Sequence, residues 1–90
     1  MNVELRGTIR AALGTAALEV EVPEGGVPLS RLLDSVARAN PRADKYLQGG
    51  SREAVLRIVH NGSVVPLRAD PLVRPEDSLL LLHAVAGGCR

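Results

Sequence analysis

The residues best suited to chemistry stand together at the end of the chain, which reads "AVAGGCR" over 84–90. A Gly-Gly pair at a free carboxyl terminus offers its carboxylate as a chemical handle. Neither residue has a Cβ, so the chain is thin there. Here Cys89 and Arg90 follow Gly88, whose carbonyl is therefore an amide with no free oxygen. Cys89 opens a second reading, attack of its thiol on the preceding carbonyl to give a thioester, for which the sequence shows no neighbouring base. A tail thiol without a role, open to oxidation, is a third. The Gly-Gly doublet also occurs at 25–26 and 49–50, but only 87–88 follows an apolar stretch at the end of the domain.

Other candidates are weaker. His83 lies five residues before Gly88, about 16 Å away along an extended chain, and no paired acid is evident. It reads as a half-buried structural histidine. Lys45 is the single lysine and the sole side-chain target if an activated tail formed isopeptide bonds to its own chain. "NGS" at 61–63 matches a glycosylation pattern but reads as a turn. No Cys/His pair, phosphate-cradling Gly loop or opposed carboxylate pair assembles a catalytic site, so the chain is expected to be a protein substrate, not an enzyme.

Composition narrows the class. Ninety residues form one domain with a modest core. Tyr46 is the only aromatic side chain, and 11 basic residues, ten of them arginines, are scattered against 10 acidic ones. Base stacking and a basic stripe are both missing, which argues against nucleic acid as a partner. A lone cysteine forms no internal disulfide, and His60 and His83 have no zinc spacing, so no metal site is expected. "MNVELRGTIR" lacks the apolar run of a secretory signal, and "LLLLHAVA" is too short to span a bilayer. A cytoplasmic protein without a membrane partner is the expectation.

The elements that must carry the tail follow from periodicity. Over 2–10, Val3, Leu5 and Ile9 share one parity and Glu4, Arg6, Thr8 and Arg10 the other, predicting a half-buried strand. "ALEVEV" at 17–22 repeats the pattern. "AALGTA" between them closes a hairpin, with the arginines of the first strand facing Glu19 and Glu21 of the second. After the loop "PEGGVP", Leu29, Leu32, Leu33, Val36 and Ala37 make one stripe of a helix that Pro41 stops. Residues 41–53 read as a surface loop. "AVLRIVH", "NG" and "SVVPL" form a hairpin with a type I′ turn, and Pro66 places its second strand at a sheet edge. "RPED" turns into "SLLLLHAVA", whose two apolar faces belong to a strand in mid-sheet. The expected fold is α+β, one helix on a mixed five-stranded sheet. Because one helix covers only one face, some apolar surface is expected beside the tail on the other. Leu80, Leu82 and Arg57 are candidates for docking partners there.

"VHNGSVVPL", "LVRPEDSLLLLHAVAGG" and the placement of "LSRLLDSVARANP" resemble the ubiquitin-like sulfur-carrier family, the β-grasp proteins of the ThiS and MoaD type. The resemblance runs to Gly88. It departs where Glu76-Asp77 stands in place of a usual Gly-Asp, and where Cys89-Arg90 follows the glycines. It implies a β-grasp domain over 1–86 and a flexible tail over 87–90. It also implies that an E1-like enzyme, using ATP, adenylates the Gly88 carboxylate, which a sulfur donor then converts to a thiocarboxylate for a sulfur-accepting biosynthetic enzyme. The carrier itself holds no cofactor. Members with a short extension beginning at Cys lose it to a JAMM-type metalloprotease, so Cys89 and Arg90 are expected to be a removable cap. Two further readings stay open: a small subunit of a molybdopterin-synthase-like complex, and a ubiquitin-like modifier or interaction module.

Overall fold

A computed structural model describes residues 1–43, 47 and 56–83. The chain runs β1 (Asn2–Gly7), α1 (Thr8–Leu13), β2 (Ala17–Glu19), β3 (Val27–Pro28), α2 (Leu29–Ala39), a 3₁₀ turn at Pro41–Ala43, β4 (Leu56–His60), β5 (Ser63–Val65), a second 3₁₀ turn at Leu67–Ala69, β6 (Leu72–Val73) and β7 (Leu79–His83). Five strands form one sheet in the order β2-β1-β7-β4-β5, and β3 pairs with β6 apart from it. β7 lies in the centre, parallel to β1 and antiparallel to β4. The sheet is thus mixed and the fold α+β, as the apolar runs imply.

Alternation decides which face is covered. Val3 and Leu5 of β1, Ile58 of β4 and Leu79 and Leu81 of β7 point inward, where they meet Leu29, Leu32, Leu33, Val36 and Ala37 of α2. Each fully buried leucine in this core contributes about 2 kcal/mol of apolar transfer energy. The helical stripe read from the sequence is the buried one, and Asn40, next to Pro41, leaves helical geometry at φ −133°, ψ 82°.

The hairpin over 56–65 carries its expected turn. Asn61 and Gly62 both have positive φ, 52° and 84°, as a type I′ turn requires. β5 sits at the edge, followed by Pro66. Arg74–Asp77 closes as a turn, the Asp77 amide donating to the Arg74 carbonyl at 3.0 Å.

Three expectations fail. β1 and β2 pair antiparallel as expected, but strand geometry ends at Gly7 and Thr8–Leu13 is helical, so they are joined through α1 and not by a tight turn at "AALGTA". Gly14, at φ 70°, instead caps α1, its amide donating to the Arg10 carbonyl at 2.9 Å. Ile9 is buried nonetheless, now from a helix. The insertion also changes the cross-strand partners. Asn2 stands opposite Glu19 and Ala17 opposite Glu4, while β2 stops at Glu19, three residues short of the predicted end. Arg6 therefore pairs along its own strand with Glu4 at 2.7 Å, and Glu19 binds the Met1 ammonium at 3.0 Å. Finally, Leu47 is fully buried, so 41–53 is not purely a surface loop. The start of the predicted third strand at 54–55 lies outside the described residues, as do 84–86 of the fifth.

Candidate functional site

The tail with Gly87, Gly88, Cys89 and Arg90, and also Lys45, lies outside the described residues. What the structure describes is β7 as far as His83 and the face beside it. β7 is described to His83, in register with Gly7 of β1 and Leu56 of β4.

This end of β7 is held from β1 and α1. Gly7 adopts φ 77°, ψ −144°, which turns the chain from strand into helix, and a Cβ there would collide with the His83 carbonyl oxygen. With β1 ending at Gly7, the His83 carbonyl is met by a side chain. The Thr8 hydroxyl donates to it at 2.7 Å. The same Oγ1 lies 3.2 Å from His83 Nδ1. A hydroxyl has one hydrogen, so with that hydrogen on the carbonyl, Nδ1 carries the ring proton and donates to Oγ1. Burial disfavours a charged imidazole here and pushes the His83 pKa below 6.5. His83 thus occupies the half-buried structural place expected of it.

The other end of β7 is fixed by the turn before it. Asp77 Oδ2 accepts from the Arg74 amide at 2.9 Å and pairs with His60 Nε2 at 2.8 Å. The Arg74 amide first, and then His60, lower the Asp77 carboxyl from 3.8 to about 2. Asn61 exchanges two hydrogen bonds with Ser78: its amide donates to the Ser78 carbonyl at 3.0 Å, and its Oδ1 accepts from the Ser78 amide at 2.9 Å. Asp77 is the residue of Glu76-Asp77 that makes the turn's contacts, and Glu76 is exposed. The substitution of Glu for the usual Gly therefore falls on the side of the pair that the turn does not bond.

The uncovered face settles the parity of β7. Leu80 and Leu82 lie opposite the core and remain partly exposed. In register, Leu80 sits between Glu4 and Val59, with Val64 next to Val59, and Leu82 sits between Arg6 and Arg57. Val64 is 67% exposed. An apolar row across β7, β4 and β5 thus adjoins a leucine flanked by two arginines, next to His83. Leu80, Leu82 and Arg57 are brought to this one face. Among the described residues, no group of three or more His, Cys, Asp or Glu side chains could hold a metal ion. No described helix is long and apolar enough to cross a membrane.

A mixed sheet packed on one long helix, with β7, the last described strand, at its centre, defines a small protein of the ubiquitin-like β-grasp fold. The chain belongs to the ThiS family, whose sequence model matches residues 3–88. Its fold is similar to the crystal structure of SAMP1 from Haloferax volcanii, with a TM-score of 0.79 and 23% identity over 98% of both chains. Small archaeal modifier protein 1 from Methanosarcina acetivorans gives 0.68 and 24%, covering 97% of this chain and 94% of that one. A Pyrococcus furiosus protein described as molybdopterin converting factor, subunit 1, gives 0.62 and 22%, covering 94% and 99%. No curated protein matches the chain in sequence.

The sequence did not single out Thr8 or Gly7 as a pair that meets the His83 carbonyl. Their partner is 75 residues away, and the one local signal was a glycine occupying an inward position of an alternating strand.

Proposed function

We propose that this chain is a sulfur-carrier precursor. Removal of Cys89 and Arg90 by a JAMM-type metalloprotease hydrolyses the Gly88–Cys89 amide and frees the Gly88 carboxylate. An E1-like enzyme brings ATP; a carboxylate oxygen attacks the α-phosphorus, pyrophosphate leaves, and an acyl-adenylate forms. Sulfide then attacks the carbonyl carbon and AMP leaves, giving the thiocarboxylate; where a donor protein's persulfide attacks instead, an acyl disulfide forms, and a second thiol attacks the donor's sulfur, releasing the thiocarboxylate and leaving a disulfide on the donor side. The thiocarboxylate delivers sulfur to a biosynthetic enzyme. The processed chain contains no cysteine, so every sulfur it carries comes from outside.

The observation that carries this reading is the family match itself, which runs through the sheet and closes at Gly88, leaving Cys89-Arg90 beyond it. The last described residue of the central strand, His83, adjoins the face that carries Leu80 and Leu82, which supports the reading. Leu80, Leu82 and Arg57 on that face dock the activating enzyme, with Leu82 nearest the tail.

The direct test is ATP–pyrophosphate exchange with an adenylating enzyme of this family from the same host. A chain ending at Gly88 is expected to support exchange and the 90-residue chain to give none. Equal exchange by both, or by neither, refutes the mechanism. The Pyrococcus neighbour favours one second reading, a subunit that stays in a heteromeric complex and copurifies with a large partner. The modifier neighbours favour another, with covalent lysine adducts as its signature.

A further inference from the structure

We propose that the Asn61-Gly62 turn is a site of spontaneous covalent modification: the Gly62 nitrogen attacks the Asn61 side chain, and hydrogen bonds to the start of β7 hold that reaction in check in the folded protein. Of the three asparagines in the chain, Asn61 alone precedes a glycine; Asn2 precedes Val3, and Asn40 precedes Pro41, which has no amide hydrogen to give up. Both turn residues are exposed, and a Cβ added at Gly62 would meet nothing within 4 Å. Neither burial nor crowding shields the pair.

The reaction needs only water. A bond forms between the Gly62 nitrogen and Asn61 Cγ, the Cγ–Nδ2 bond breaks, and ammonia leaves with the Gly62 amide hydrogen, closing a succinimide ring. Water then opens the ring at either carbonyl, giving aspartate or, where the main-chain carbonyl is cut from the nitrogen, isoaspartate.

What restrains the first step is the bonding of Asn61 to residues 77 and 78. Its amide donates to the Ser78 carbonyl at 3.0 Å, and its Oδ1 accepts from the Ser78 amide at 2.9 Å. The Asp77 carboxyl is lowered first by the Arg74 amide, then by His60, and also by a bond from the Asn61 side chain. The carboxamide is thus tied down on a backbone held at φ 52°, and it has to leave these partners before its carbon can turn to the Gly62 nitrogen. The consequence lies in β5. Isoaspartate puts an extra carbon into the backbone of a two-residue turn, so the register of His60 with Ser63 and of Val59 with Val64 cannot be kept. Val64 belongs to the uncovered face, which the modified turn therefore disturbs.

The test follows peptides containing Asn61 by mass, for the exchange of an amide for a carboxyl, after incubation of the 90-residue chain at mildly alkaline pH, folded in buffer and unfolded in urea. Two variants are incubated while circular dichroism shows them folded. Asp77→Ala removes a partner of the Asn61 side chain, and Asp70→Gly removes the acceptor of the Ser30 amide on α2, away from the hairpin. Conversion at Asn61 is expected to be at least about tenfold slower in the folded wild type than in urea, because the turn has to open first. Folded Asp77→Ala is expected to convert about fivefold faster than folded wild type, the worth of one hydrogen bond, and Asp70→Gly no faster. Equal rates in buffer and urea, no gain in Asp77→Ala, or the same gain in Asp70→Gly each overturn the restraint. If Asp77→Ala does not fold, the wild-type comparison of buffer with urea decides alone. No conversion at Asn61 in urea overturns the site itself. The isoaspartyl form, once separated, is expected to melt below the unmodified chain, and an equal Tm overturns the loss of register.

Discussion

Gly7 and Asp77 bracket β7 at its two ends, and each makes a prediction at the scale of a single side chain. A methyl group at Gly7 meets the His83 carbonyl in a backbone conformation that L residues rarely adopt. Gly7→Ala is expected to destabilise the fold by about 3 kcal/mol, read by urea unfolding; a loss below about 1 kcal/mol would show that the strand ends accommodate it. The Asp77 carboxyl is held at about 2, below its ordinary 3.8. The unfolded chain therefore binds a proton that the folded one resists. The stabilisation from this group is complete above pH 4 and is lost as the pH falls from 4 towards 2. Stability measured between pH 5 and 2 should decline more steeply for the wild type than for Asp77→Asn. Parallel curves would remove Asp77 from the account. The turn itself was legible, since Pro75 and Asp77 are turn residues in turn positions. The bond to His60 was not, because it depends on how β4 lies against β7.

At the scale of elements, the long helix shows what periodicity reveals and what it omits. Its five-residue apolar stripe identified α2 and its inward face, because burial selects a single side of a helix. Its N-terminal cap was invisible. Pro28 supplies no side-chain cap, and the first amides are satisfied from the segment before β6: Leu29 donates to the Pro71 carbonyl at 2.9 Å and Ser30 to Asp70 Oδ1 at 2.7 Å. The Ser30 hydroxyl adds a bond to Asp70 Oδ2 at 3.0 Å. Asp70 holds φ 43°, a conformation that glycine adopts freely. Asp70→Gly thus deletes the cap without strain and is expected to cost about 1 kcal/mol in thermal or denaturant unfolding. An unchanged Tm would mean that water replaces the carboxylate without loss. The short helix α1 escaped the sequence reading for a related reason. Six residues give fewer than two turns, and Ile9 satisfies an inward position under either period. Gly7 and Gly14, which bound the helix, were the available signals. β3 and β6, two residues each, are too short for any alternation to appear.

At the scale of the molecule, one long helix on a five-stranded sheet leaves a face that the core does not use, and the central position of β7 places Leu80 and Leu82 on that face. The doubly apolar run over 79–82 announced both facts in the sequence, because a strand with neighbours on each side and a helix on one face still shows its second face to solvent. The parity that puts Leu80 and Leu82 outward came only from the register with β1 and β4. Gly87, Gly88, Cys89 and Arg90 lie outside the described residues, so their reading rests on the sequence alone. How the cap fares in the cell is the central claim. It is tested most directly by the intact mass of the protein recovered from its native host while the sulfur-using pathway is active. The account predicts a species ending at Gly88, part of it heavier by the exchange of one oxygen for one sulfur. A population in which every molecule still ends at Arg90 would contradict it.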